Sequence, residues 1–200
     1  MSTRKIALIG MSNIGKSWLA SRVSDAFGMP SVEVDHYIRR ELGQSSMDDF
    51  AHWLGHPNTD GYAEREARSL ALEDAATLAA LDDLPEGGIL DTTGSVIYCD
   101  TACKRLRDET HIVYLRASER QRETLEALYF QHPKPLNWYG HFEQREGELF
   151  GDAVSRCYPK LLASRDEAYA NLADHIVDAE AIYTETSPED LLALIDPARQ

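Results

Sequence analysis

Near its start the chain reads Gly10-Met11-Ser12-Asn13-Ile14-Gly15-Lys16-Ser17, which fits the spacing G-x-x-x-x-G-K-[ST]. Residues of these types at this spacing can wrap an anion. The glycines let the backbone bend and approach closely, the loop N–H groups turn inward, and the following helix offers the positive end of its dipole to the same charge. In such a loop Lys16 reaches the β- and γ-phosphates of ATP and Ser17 puts its hydroxyl on Mg2+, while Gly10, Ser12, Asn13, Ile14 and Gly15 form the cradle. Trp18, directly after Ser17, is either a core residue or a nucleotide contact. An ordinary strand-turn-helix would satisfy the same letters, so the flanking pattern has to decide.

Three carboxylates follow short apolar runs: Glu33 and Asp35 after Ser31-Val32, and Asp91 after Ile89-Leu90. In open parallel sheets the reacting groups collect beyond the carboxyl ends of the strands. Asp35 can serve there as a general base for an attacking hydroxyl, or as the cap of a helix beginning at His36. Asp91 stands where phosphate-loop enzymes keep a carboxylate for Mg2+, and Glu33 joins it as a metal candidate, although "DTTG" is also good turn chemistry. Arg116, Arg120 and Arg122 follow a fourth apolar run and can stabilise a transferring phosphoryl group; Arg116 and Arg120 are the nucleotide-side candidates, and Arg156 is a weaker one. His52 and His56 have zinc spacing but lack a third ligand. Trp53, Trp138 and Tyr139 are suited to stacking on a ring or to packing.

The elements that must position these residues read as alternating strands and helices. Ile6-Ala7-Leu8-Ile9 is an unbroken apolar run, as expected of a strand covered on both faces. Leu19, Val23 and Ala26 then recur at helical spacing, with Gly28 and Pro30 ending the helix. Strands are predicted over residues 31–34, 88–91, 110–118 and 174–178. A long helix is predicted from Tyr62 to Leu84, with Ala67, Leu70, Ala71, Leu78 and Leu81 on its apolar face. The stretch "HPKPLNWYGHFEQREGE" mixes prolines, glycines and charge and reads as a flap. Such alternation predicts a parallel sheet wrapped on both sides.

The acidic balance, 34 Asp and Glu against 20 Lys and Arg with a net charge of -14, argues against nucleic acid as a partner. Cys99, Cys103 and Cys157 are odd in number and lack paired C-x-x-C spacing, which argues against a disulfide framework and a zinc site. No apolar run approaches a membrane span and no leader pattern opens the chain, so a cytoplasmic protein with no membrane partner is expected.

In its order of pieces the chain resembles shikimate kinase, a small phosphate-loop kinase of the nucleoside monophosphate kinase fold, from Lys5 to about Asp178. The family's D-x-D falls on Glu33-Val34-Asp35, its G-F-R-x-R-E on Gly61-Tyr62-Ala63-Glu64-Arg65-Glu66, and its glycine-rich turn on Thr92-Thr93-Gly94-Ser95-Val96. Its lid motif R-P-L falls on Lys134-Pro135-Leu136 and its late R-x-x-x-Y on Arg165 through Tyr169. The resemblance implies Gly15, Lys16 and Ser17 at the nucleotide, Asp35 as base and acceptor ligand, Gly94 and Arg165 at the acceptor, and Lys134 in place of the lid arginine. Ala63 would replace a second carboxylate-binding arginine, and Thr92 and Thr93 two glycines, so shikimate itself is expected to be a poor acceptor.

These readings converge on a three-layer α/β phosphate-loop NTPase fold, a five-stranded parallel sheet with helices on both faces and a lid. One domain is expected over residues 1–200, with the acceptor region over about 35–85 and the lid over about 132–147. The expected activity is transfer of the γ-phosphoryl group of ATP to a hydroxyl of a small, anionic metabolite, with Mg2+ as cofactor. The alternatives are a nucleotide kinase of the same fold and a slow nucleotide-hydrolysing switch; the chain has no N-K-x-D guanine motif. Nothing in the sequence sets the oligomeric state.

Overall fold

The computed structural model describes residues 4–43, 47–131, 136–182 and 184–197. Strand β1 (Lys5–Ile9) runs through the middle of a five-stranded sheet, flanked by β3 (Ile89–Asp91) and β4 (Thr110–Arg116). Beyond them lie β2 (Ser31–Glu33) and β5 (His175–Asp178), giving the order β2-β3-β1-β4-β5 with all pairs parallel. Ile6 through Ile9 and Ile112 through Leu115 are fully buried, as two-sided cover of a parallel strand requires. The chain leaves β1 toward β2 on one side and later toward β4 on the other. That reversal opens a crevice at the carboxyl end of β1.

The described helices are α1 (Lys16–Phe27), α2 (Val34–Leu42), α3 (Met47–Leu54), α4 (Tyr62–Asp83), α5 (Asp100–Glu109), α6 (Glu119–Gln131), α7 (Phe150–Leu172) and α8 (Pro188–Ile195). None among the described residues is long and apolar enough to cross a membrane. The three cysteines are free and buried.

Two local expectations are corrected. The second strand stops at Glu33 instead of Val34, because Val34 is drawn fully into the core and opens α2. Asp35 is therefore the second residue of that helix and not its cap. Helix α4 is rotated from the expected face: Ala67 and Ala71 are exposed, while Tyr62, Ser69, Glu73, Ala76, Thr77, Ala80 and Leu81 are buried. Its buried stripe carries polar side chains because it meets the turn after β3.

Candidate active site

The phosphate loop follows from backbone sterics. Gly10 has φ +144° and a Cβ there would lie 2.8 Å from the Leu115 carbonyl oxygen, so no side chain fits. Gly15 has φ +108° and occupies the cap position of α1, with no side chain bonding the first helical amides. Those amides stay available to an anion. Lys16 is buried at 6% exposure, and its Nζ donates to the carbonyl oxygens of Gly10 and Met11, both at 3.0 Å.

A cavity of about 290 Å3 opens from this loop across the carboxyl ends of β1, β2 and β3. It brings together Ser12, Asn13, Gly15, Lys16, Ser17 and Trp18 with Glu33, Asp35, Asp91, Gly94 and Arg165. Trp18 is 37% exposed, which removes the core alternative for it. Gly10 and Ile14 are not among the lining residues; they shape the loop from behind, where Ile14 is buried.

Strand register explains the acidic edge. Asp91 is paired with Leu8 on one side and Glu33 on the other, so both carboxylates emerge side by side next to the phosphate loop. Burial raises the pKa of Asp91, opposed by the charge of Lys16 and a hydrogen bond from Ser17. Its Oδ1 is buried with no hydrogen-bond partner. A buried orphan oxygen beside a serine hydroxyl suits a divalent cation. Among the described residues no three His, Cys, Asp or Glu side chains cluster to hold a metal by themselves. Asp35 lines the same cavity, half-buried, and among the described residues its carboxylate makes no hydrogen bond or ion pair.

The far wall is a buried polar network. Arg165, 3% exposed, donates from Nη1 to Gly94 O at 3.1 Å and from Nη2 to Asn137 O at 2.7 Å, while its Nε has no partner. Tyr169 also bonds to Gly94 O. Glu73 receives the hydroxyls of Thr93 and Ser95 on its two oxygens, and Asn137 Nδ2 donates to Ser95 Oγ at 3.0 Å. Burial pushes the Glu73 pKa up to about 8, against the pull of Ser95 and Arg165 and with the charge of Asp35 adding to the rise.

Sequence reading missed Glu73, Ser95 and Asn137. Glu73 had a visible signal: Ser69, Ala76, Thr77 and Ala80 lie three, four and seven residues away, so it stands on a stripe of small residues that a helix can bury. Conversely, Gly61 through Glu66 do not line the cavity, and Ala63 is exposed at the start of α4. The helix reaches the site two turns later, at Glu73. Thr92 and Thr93 line the cavity, while Ala63, whose side chain ends at Cβ, stands exposed at the start of α4.

Other candidates are held elsewhere. Arg116 forms a bidentate pair with Asp166, at 3.1 Å from both Nε and Nη2, and Arg122 faces the same carboxylate. Arg120 is exposed, and neither Arg116 nor Arg120 lines the cavity. The local cause is Asp166 on α7, which captures the basic end of β4. Arg156 pairs with Glu148 at 2.8 Å. His52 and His56 belong to no metal cluster among the described residues. Trp138 is buried against Phe142 and Tyr158 as packing. Lys134 lies outside the described residues.

The raised Glu73 predicts a pH dependence of stability. In the folded chain Glu73 keeps its proton to about pH 8, whereas the unfolded side chain loses it near 4.5, so folding takes up a proton between those values. This contribution to stability is full below about 4.5, falls as pH rises through the window, and levels off above 8. Glu73→Gln keeps the shape and removes the titration. The melting temperature of the variant should therefore fall less than that of the parent between pH 5 and 9; parallel curves would show that Glu73 ionises normally.

The family model for shikimate kinase matches residues 12–195. The chain is 27% identical over 176 residues to shikimate kinase 2 of Erwinia tasmaniensis, covering 87% of this chain and 86% of that protein. It is 26% identical over 175 residues to the shikimate kinase of Paracidovorax citrulli, covering 88% and 82%. In fold it is similar to the shikimate kinase of Bacteroides thetaiotaomicron, with a TM-score of 0.65, 16% identity and 97% coverage of both chains. It is likewise similar to the Acinetobacter baumannii enzyme solved in complex with shikimate, with a TM-score of 0.63, 18% identity and coverage of 94% and 88%. With the matched span running from the phosphate loop to the last helix, the chain belongs to the shikimate kinase family, ATP-dependent phosphotransferases that act on a hydroxyl group of a small molecule.

Proposed function

We propose that the cavity takes the γ-phosphate of ATP and one hydroxyl of a small anionic metabolite of the shikimate type, with Mg2+ at Ser17 and Asp91. One observation carries this reading: the Asp35 carboxylate, which has no hydrogen-bond or ion-pair partner among the described residues, and the buried Arg165 share a single cavity with the phosphate loop.

The roles follow from the geometry. Lys16, now bonded to the carbonyls of Gly10 and Met11, exchanges those partners for phosphate oxygens and stabilises the charge that develops on transfer. Asp35 takes the proton of the acceptor hydroxyl as its oxygen bonds to the γ-phosphorus and the bond from that phosphorus to the bridging oxygen of ADP breaks. The proton then passes to water. When bound, Mg2+ offsets the negative charge of the phosphates, and the residues that would hold it are Ser17 and the Asp91 carboxylate, with Glu33 beside them. Arg165 is fixed by Gly94 and Asn137 and presents its charge to the anionic group of the acceptor. A Glu73 that keeps its proton near neutral pH leaves that charge uncancelled. We assign acceptor binding to about residues 35–85 and lid action to about 132–147, in a cytoplasmic enzyme whose partners are small molecules.

The test is ADP release with purified protein, ATP and Mg2+, run against shikimate, other hydroxylated carboxylates and nucleoside monophosphates. Release that depends on a hydroxylated carboxylate is expected, with shikimate penalised by the Thr93 side chain in the cavity. Stimulation by nucleoside monophosphates alone, or an unchanged rate without any acceptor, would overturn the reading.

A further inference from the structure

Among the described residues Glu66 is a carboxylate outside the cavity that accepts two successive backbone amides. Its Oε1 accepts the backbone N–H groups of Trp138 at 2.5 Å and Tyr139 at 3.0 Å, and the Tyr62 hydroxyl lies 2.7 Å from the same oxygen. That hydroxyl is also 3.0 Å from the Leu136 carbonyl oxygen. Tyr139 adopts φ +49°, a conformation uncommon for a side chain of its size, and this turn aims two successive amides at one carboxylate. Bonds from backbone N–H groups to a charged carboxylate are among the stronger hydrogen bonds of a protein.

The gripped segment also touches the cavity. Asn137 O receives Arg165 Nη2, Asn137 Nδ2 bonds Ser95 Oγ, and the Tyr139 ring stacks at 4.1 Å on Tyr98, whose ring lies 5.5 Å from the Arg165 guanidinium. Glu73 stands seven residues after Glu66 on the same helix and holds Thr93 and Ser95. Seven residues bring a helix back to nearly the same face about 10 Å further on.

We propose that Glu66 is a positioning residue for the acceptor site: with Glu73 it makes α4 a brace that fixes residues 136–139 relative to the turn 93–95 and so holds Asn137 and Arg165 at the cavity. Its catalytic meaning rests on the reading of that cavity as the acceptor site. Glu66 itself does not line it, so its influence is indirect.

Hydrogen–deuterium exchange on the whole chain tests the brace without any acceptor. In Glu66→Ala, exchange across 136–140 should quicken about tenfold or more, the loss of one strong bond, and that quickening should extend to 93–98 while β1 and β4 stay unchanged. Glu66→Gln keeps an accepting oxygen and should stay within about threefold of the parent. Quickening confined to 136–140, or a lower melting temperature with unchanged exchange at 93–98, would overturn the proposal. With shikimate as the probe, Glu66→Ala should raise its KM about fivefold or more, with the KM for ATP within about twofold. A parent enzyme that ignores shikimate would count against that acceptor and leave the exchange result to decide the brace.

Discussion

Lys16→Met should lower kcat/KM by about a hundred- to thousandfold or more while leaving the fold intact. The side chain is buried, yet its Nζ donates to the loop carbonyls Gly10 O and Met11 O and packs no apolar core with its charged end. Methionine keeps the length of the stem and removes the one cation of the phosphate loop. Two carbonyls lose a donor, and they sit beside a cavity open to water that can replace it. The loss should therefore appear in turnover, with a melting temperature shifted by a few degrees at most, the range of about one kcal/mol in a chain of this size. Steady-state assays and a thermal melt on one preparation decide it, and unchanged turnover would remove the phosphate loop from the mechanism.

Asp35→Asn should reduce kcat by roughly a hundredfold or more, with ATP binding nearly intact. The variant keeps size and hydrogen-bonding shape and cannot take a proton. The structure sharpens the contrast with a purely structural role, since Asp35 lies inside the first turn of α2 and bonds no helical amide. Losing its charge there removes only the favourable interaction with the helix dipole, about 0.3–1 kcal/mol. A large fall in melting temperature with kcat unchanged would reverse the assignment. An unaltered ATP affinity alongside lost turnover would support the base.

The parts of the site that were legible in the sequence are those made locally. The phosphate loop, its strand and its helix are written in one continuous stretch, because bent backbone and a helix terminus need only neighbouring residues to form. Glu33 and Asp91 were legible as strand ends for the same reason. What was not legible involves residues whose surroundings are set from a distance. Arg116 looked free after an apolar strand, and the Asp166 that claims it is 50 positions later on another helix. Glu73 stands on a stripe of small residues, but its role depends on Thr93 and Ser95, folded back from β3, which supply its partners.

Gly94 is where the two halves of the site meet: a Cβ there would stand 2.8 Å from Ser12 Oγ and 3.2 Å from Ser12 N. The turn at Gly94 thus packs directly against the phosphate loop, and a side chain added there would crowd Ser12 and push the loop by a few tenths of an ångström. Divergence toward a new acceptor is therefore channelled through its neighbours. Thr93 and Ser95 can be exchanged at the expense of bonds to Glu73, whereas a change at Gly94 bears directly on Ser12 of the phosphate loop. A lineage of such enzymes would explore acceptors by varying the two flanking positions around a fixed glycine.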